Sequence, residues 1–249
     1  MSSNGIRSVV VGAVLELVID RPERKNAFTN AMYSQLAEEL TKAAASDEIA
    51  VVLFYGEAGN FSSGNDLKDF LNEPPTGPVA PVFDFLIALA TFPKPILCAV
   101  DGFAVGIGTT MLLHADIVYA SNIARFQLPF VNLGLVPEAG ASLLLPRVAG
   151  SKAANELLMF GEAFDAETAL RYGIINKIIE QGQLLEWSRA RAQTLASKPR
   201  AALQEAKSLM KKTHEIELLK QIRLEGDAFV QRLSSPETKQ AIQAFFARK

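Results

Sequence analysis

Short apolar runs separated by turn residues dominate the hydropathy pattern of this chain. Val9–Val11 and Val14–Ile19 are rich in branched residues and flank Gly12, which predicts a β-hairpin or two consecutive strands. Asp20–Asn26 is a charged loop. From Asn30 to about Ala45, Met32, Leu36 and Leu40 recur every four residues, as on one face of a helix, with Asn30 as candidate N-cap. Ile49–Tyr55, Ile96–Val100 and Ile117–Ala120 read as buried strands, and Val82–Ala90 and Ile107–His114 as helices. Asn72–Pro81 holds four prolines and a glycine and reads as a mobile loop. Beyond Asp165 the pattern turns helical, at Leu184–Ala196, Ala201–Lys212, Ile216–Leu233 and Pro236–Ala247, with one strand at Ile174–Ile179. The alternation predicts an α/β core over residues 1–197, and the change near Lys198–Pro199 a helical C-terminal region over 198–249.

Composition narrows the function classes. With 25 basic and 27 acidic residues the charge is balanced, and no basic stripe suggests nucleic acid. The run Val9–Ile19 is interrupted by Gly12 and Glu16 and is too short to span a bilayer. The first residues lack a basic stretch followed by an apolar one, and Ala247-Arg248-Lys249 is not the standard peroxisomal tripeptide. The single cysteine, Cys98, excludes an internal disulfide and a thiolate zinc cluster, and its apolar strand suggests a buried inert thiol. His114 reads as a capping or packing residue and His214 as solvated. A cytoplasmic, metal-free protein without membrane or nucleic-acid partners is expected.

Three turns carry candidate chemistry. Phe61-Ser62-Ser63-Gly64-Asn65-Asp66-Leu67 and Asp101-Gly102-Phe103-Ala104-Val105-Gly106-Ile107-Gly108 each place glycine in a turn soon after an apolar run. Glycine lets the backbone turn sharply and a ligand approach main-chain amides. Two such turns can aim two N–H groups at one oxygen, as an oxyanion hole does. Leu133-Gly134-Leu135-Val136-Pro137-Glu138-Ala139-Gly140 supplies a carboxylate at a helix start. Two donors and one base suffice for proton abstraction beside a carbonyl. Gly106-Ile107-Gly108 reaches no third glycine, which argues against a dinucleotide site, and no Gly-x-Ser-x-Gly elbow supports a serine hydrolase.

Over nearly its whole length the chain resembles the enoyl-CoA hydratase/isomerase (crotonase) superfamily. The matching segments are Arg21–Ala27, Phe61–Lys68, Pro93-Lys94-Pro95, Ala99–Gly108 and Ala115-Asp116-Ile117, in the family's order and at similar separations. The resemblance implies a spiral of ββα units with a helical C-terminal region that builds a homotrimer or a dimer of trimers. It implies acyl-CoA thioesters as substrates, a stabilised thioester enolate, and no separate cofactor. The oxyanion donors would be the backbone N–H groups of Asn65 and Ile107.

Of the two glutamates of the family's hydratases, the first falls on Thr110 and the second on Phe130. Neither is a carboxylate, and Thr110 is a poor base. Glu138 instead fills the position of the glutamate in Δ3,Δ2-enoyl-CoA isomerases, which points to isomerisation. Hydratase activity and a non-catalytic acyl-CoA-binding protein are the alternatives. Apolar Phe103, Phe130, Leu133 and Val136 would keep water from Glu138, and an apolar pocket would raise its pKa while the helix N-terminus opposes that. For the CoA moiety the resemblance implies Arg24 and Lys25 at the phosphates and Ala27 beside the pantetheine. Ser63, Asp66, Leu67, Gly106, Phe130 and Leu133 would line the rest. Asp66 has bracing its own turn as an alternative role; Phe245 would reach CoA from a neighbouring subunit, and Lys249 would do so only if it is not, as its position favours, a frayed charged terminus.

Overall fold

The branched-residue runs become strands because their side chains fit a sheet covered on both faces. In the computed structural model, which describes residues 5–72 and 80–247, β1 (Ile6–Val11) and β2 (Val14–Ile19) form the antiparallel hairpin around Gly12. From β2 onward the main sheet is parallel, through β3 (Val51–Gly56), β4 (Ile96–Val100), β6 (Ile117–Ser121) and β9 (Lys177–Ile179). Parallel strands covered on both faces read as continuous apolar runs. Leu17, Phe54, Cys98 and Val118 align across the sheet and join the larger core with α1 (Asn30–Ala45) and α3 (Pro81–Ala90). Leu53, Leu97 and Tyr119 belong to the opposite core, with α8 (Leu184–Ala196).

A second sheet was not anticipated. It contains β5 (Phe103–Val105), β7 (Arg125–Gln127) and β8 (Phe164–Asp165). These strands are two or three residues long, too short for the alternation that marks a strand in sequence. β5 and β7 follow β4 and β6 after sharp turns, and Ser62 adds a bridge to Ala104. Strand, turn, short strand and helix thus repeat, which gives the crotonase spiral, and the turns entering the helices come to lie side by side.

Three expectations need correction. The cap of α1 is Thr29, whose Oγ1 accepts the Met32 amide at 3.3 Å; Asn30 is already the first helical residue. The two helices expected over 201–233 form one, α9 (Arg200–Leu233), because residues 213–215 contain no helix breaker. The helical C-terminal region expected to build the trimer does not turn all its apolar side chains outward: Phe229 is buried in its own chain. The exposed apolar side chains of α9 are instead Leu209, Met210, Ile216 and Leu224. Cys98 is buried as expected, and burial pushes its thiol well above the usual range. Residues 73–79 of the expected mobile loop, and Lys249, lie outside the described residues.

The turns of the spiral meet with little clearance. A Cβ on Gly108 would stand 2.8 Å from the Ser62 carbonyl oxygen. Neither backbone segment can move freely, since Ser62 N–H donates to Phe103 O and Val105 N–H to Ser62 O, both at 2.9 Å. Gly108→Ala should therefore destabilise the fold by about 1–3 kcal/mol in urea unfolding; an unchanged midpoint and slope would show that the segments yield.

Candidate active site

Two adjoining turns leave two amides unused. Gly64 has φ +91, and a Cβ there would lie 2.8 Å from Val105 O and 4.0 Å from Gly106 Cα. Glycine is thus required both for its conformation and for the approach of the second turn. The flanking polar groups are bonded: Gly64 N–H to Ser62 Oγ at 3.1 Å, Asp66 N–H to Phe28 O at 2.8 Å, and Gly106 N–H to Gln127 O at 2.9 Å. Among the described residues neither the Asn65 nor the Ile107 amide has a hydrogen-bond acceptor. Ile107 opens α4 (Ile107–Thr110), and the first amides of a helix have no partner within it.

These turns border a cleft of about 1110 Å³. The sequence-expected residues Arg24, Lys25, Ala27, Ser63, Asn65, Asp66, Leu67, Gly106, Phe130 and Leu133 all line it, together with Gln127 and Phe246, which sequence reasoning missed. Ile107 and Glu138 are buried and do not line it; Glu138 belongs to a separate pocket. Phe245 lines the cleft of its own chain, carried by α10 (Pro236–Ala247), and so does not depend on a neighbouring subunit to reach it. Asp66 takes its bracing role: Arg21 Nη1 donates to it at 2.8 Å and the Lys68 amide at 3.0 Å. That carboxylate braces its turn and borders the cleft. Lys25 Nζ sits 5.3 Å from the centroid of Phe103, whose ring is exposed.

Glu138 lies in a second, much smaller pocket lined by Asn65, Val82, Phe83, Leu86, Ala139, Ile222, Gly226 and Phe229. Its apolar walls come from α3 and α9, not from Phe103, Phe130, Leu133 and Val136, which do not line it. The wall residues were missed because 138 is far in sequence from 82 and 229, and only packing joins them. Glu138 is 7% exposed, and Thr110 Oγ1 donates to its Oε1 at 2.6 Å. Burial pushes its pKa up to about 8; the Thr110 bond works against that, and the Glu225 charge adds to it.

The expected help from the helix N-terminus is absent for a visible reason. Glu225, from α9, takes the amides that begin α5 (Ala141–Ala149): Gly140 N–H at 2.6 Å and Ser142 N–H at 2.9 Å. Glu138 is left beside a second carboxylate. Ala139 and Gly140 then both adopt left-handed conformations, φ +63 and +72, which turn the chain back and leave the Glu138 side chain facing inward. His114 Nε2 lies 2.7 Å from Ala139 O. Burial lowers the His114 pKa to about 4, so the ring is neutral and donates this bond. It is a packing residue that braces the turn, as expected. His214 is exposed, also as expected.

The model of the enoyl-CoA hydratase/isomerase family matches residues 10–249. The chain belongs to the enoyl-CoA hydratase/isomerase family. It is 37% identical to the 1,2-epoxyphenylacetyl-CoA isomerase of Escherichia coli K12, over 98% of this chain and 96% of that protein. It is 32% identical to the enoyl-CoA delta isomerase 2 of Rattus norvegicus, over 99% of this chain and 64% of that longer protein. The solved structure of Pseudomonas aeruginosa OdaA superposes with a TM-score of 0.95 at 46% identity, covering 98% of this chain and 99% of that one. Members of the family are acyl-CoA enzymes, so the cleft belongs to an acyl-CoA enzyme. Among the described residues no helix is long and apolar enough to cross a membrane.

The raised pKa has a measurable consequence. Between its ordinary value of 4.5 and about 8, folded Glu138 keeps a proton that the unfolded chain has released. Its contribution to stability is complete below pH 4.5 and is lost as pH rises to about 8. The Tm of Glu138→Gln minus that of the parent should therefore grow from pH 5 to pH 8.5. A pH-independent difference would contradict the burial of this group.

Proposed function

We propose that the chain is a Δ3,Δ2-enoyl-CoA isomerase in which Glu138 carries the proton from C2 to C4. The observation that carries this reading is one buried carboxylate behind two unused amides, with non-acidic Thr110 and Phe130 at the two hydratase positions. The ionised carboxylate removes the C2 proton of a 3-enoyl thioester. Negative charge moves to the thioester oxygen, where the Asn65 and Ile107 amides stabilise it as fixed donors. The same carboxylic acid then delivers the proton to C4, and the double bond ends between C2 and C3. Thr110 holds Oε1, which leaves Oε2 to carry the proton. Activation of a water molecule would need a second free acid–base group; the neighbouring Glu225 is outside the described lining of the Glu138 pocket, and its oxygens accept from Gly140 N–H and Ser142. The names of the Escherichia coli and rat relatives, both acyl-CoA isomerases, support this reading.

No cofactor enters these steps; the CoA thioester is the substrate. Arg24 and Lys25 at the rim of the cleft would meet its phosphates. The exposed Leu209, Met210, Ile216 and Leu224 on α9 support a homotrimer or a dimer of trimers. Light scattering should give three times 27.0 kDa or a multiple of that mass; a monomer at micromolar concentration would end this part of the reading.

Glu138→Gln should lower isomerase turnover by about 10²–10⁴-fold while the protein stays folded. In the parent, kcat/KM for a 3-enoyl-CoA should rise with pH through about 8, because only the ionised carboxylate can take the proton. Thr110→Val should move that limb to higher pH, because a bond favouring the charged form is lost. Its loss of turnover should be smaller than that of Glu138→Gln. Full turnover by Glu138→Gln, or consumption of 2-enoyl-CoA by hydration with none of the 3-enoyl isomer converted, would overturn the assignment.

A further inference from the structure

The Gly64 carbonyl and the Asn65 N–H belong to one peptide plane, and a glycine does not hold that plane by its own sterics. The grip comes from Phe28. Its N–H donates to Gly64 O at 2.8 Å and its carbonyl accepts the Asp66 amide at 2.8 Å, so that Phe28 and Asn65 form a parallel bridge. A trans peptide points its C=O and N–H in opposite directions. With Gly64 O turned toward Phe28, the Asn65 N–H points away from it, toward no protein acceptor among the described residues.

Tyr33, in the first turn of α1, holds both halves of this bridge. Its ring stacks on Phe28 with centroids 5.3 Å apart and lies 5.6 Å from Phe85, while its hydroxyl donates to Asn65 Oδ1. Tyr33 is 1% exposed, and a buried hydroxyl is costly to leave unbonded, so this contact is firmly kept. One side chain thus clamps Phe28 through its ring and Asn65 through its hydroxyl. We propose that Tyr33 is a positioning residue for the oxyanion hole, fixing the direction of the Asn65 N–H by holding Phe28 and Asn65 together. Donors stabilise an oxyanion best when they are aimed before the charge develops. A misaimed donor still accommodates a neutral thioester carbonyl but stabilises an enolate less. The Tyr33 hydroxyl therefore acts on the enolate and hardly on ground-state binding.

The inference rests on the oxyanion-hole reading above and is independent of which double bond moves. It is tested on the intact protein with acetoacetyl-CoA, whose C2 proton is acidic enough for the enolate to be followed by ultraviolet absorbance. At fixed pH, the ratio of bound enolate to bound keto form reports the strength of the hole without turnover. The parent should raise this ratio above that of the free thioester. Tyr33→Phe keeps the ring on Phe28 and removes only the hydroxyl; it should lower the ratio about 5-fold, the worth of one hydrogen bond. Its kcat with a 3-enoyl-CoA should fall by a similar factor while KM changes less than about 2-fold. Asn65→Ala keeps the main-chain N–H and should lower the ratio to a similar extent. The double variant should be no worse than either single one, because both remove the same bond. Either single variant suffices if the other fails to fold. An unchanged ratio in a folded variant, a loss confined to KM, or losses that multiply in the double variant would overturn the proposal. A parent that does not raise the ratio would overturn the oxyanion-hole reading with it. An intact enolate response without isomerase turnover would overturn only the isomerase assignment.

Discussion

The cost of burying the Glu138 carboxylate organises this site. A carboxyl group among Val82, Leu86, Ile222 and Phe229 cannot be well solvated, so it favours its neutral form and holds a proton readily. The surrounding structure preserves that condition. Glu225 occupies the α5 amides that could have stabilised the charge, and Thr110 offers Glu138 a single hydrogen bond. The left-handed Ala139 and Gly140, with the neutral His114 donating to the carbonyl between them, fix the direction of the turn. Residues distant from any substrate thus set the basicity of the group that would meet it.

A complementary rigidity applies to the two turns that carry the proposed oxyanion donors. The turns at Ser62–Asn65 and Val105–Gly108 are laced by main-chain bonds, and glycine is required where they touch. Donors on such a support are already oriented before charge develops, so little reorganisation opposes the reaction. The side chain of Asn65 is held as firmly, by a buried tyrosine from α1.

Much of this was legible in the sequence, for identifiable reasons. Long strands such as β3 and β4 declare themselves by continuous apolar runs, and Gly64, Gly106 and Glu138 stand in local patterns that point to the roles proposed for them. Local pattern fails where partners are distant or elements very short. The second sheet has strands of two and three residues, and its pairing of Phe103 with Arg125 leaves no periodic trace. Phe103 was misplaced for a related reason: its apolar character suited a pocket wall, but it lines the outer cleft beside Lys25 and not the Glu138 pocket. Glu225 and Tyr33 escaped notice because a helix of 34 residues, or one of 16, gives no sign of which polar side chain will meet a turn elsewhere. Asp66 combines both roles that its motif offered: it lines the cleft, and its carboxylate accepts from Arg21 and from the Lys68 amide.

The central claim is that one carboxylate, kept from water, moves a single proton between two carbons. It is tested most directly by following a 3-enoyl-CoA deuterated at C2 through the reaction in ordinary water. If Glu138 shuttles the proton in its apolar pocket, a substantial share of the abstracted deuterium should be recovered at C4 of the 2-enoyl product. Complete loss of that label to solvent, with turnover unimpaired in Glu138→Gln, would contradict the account.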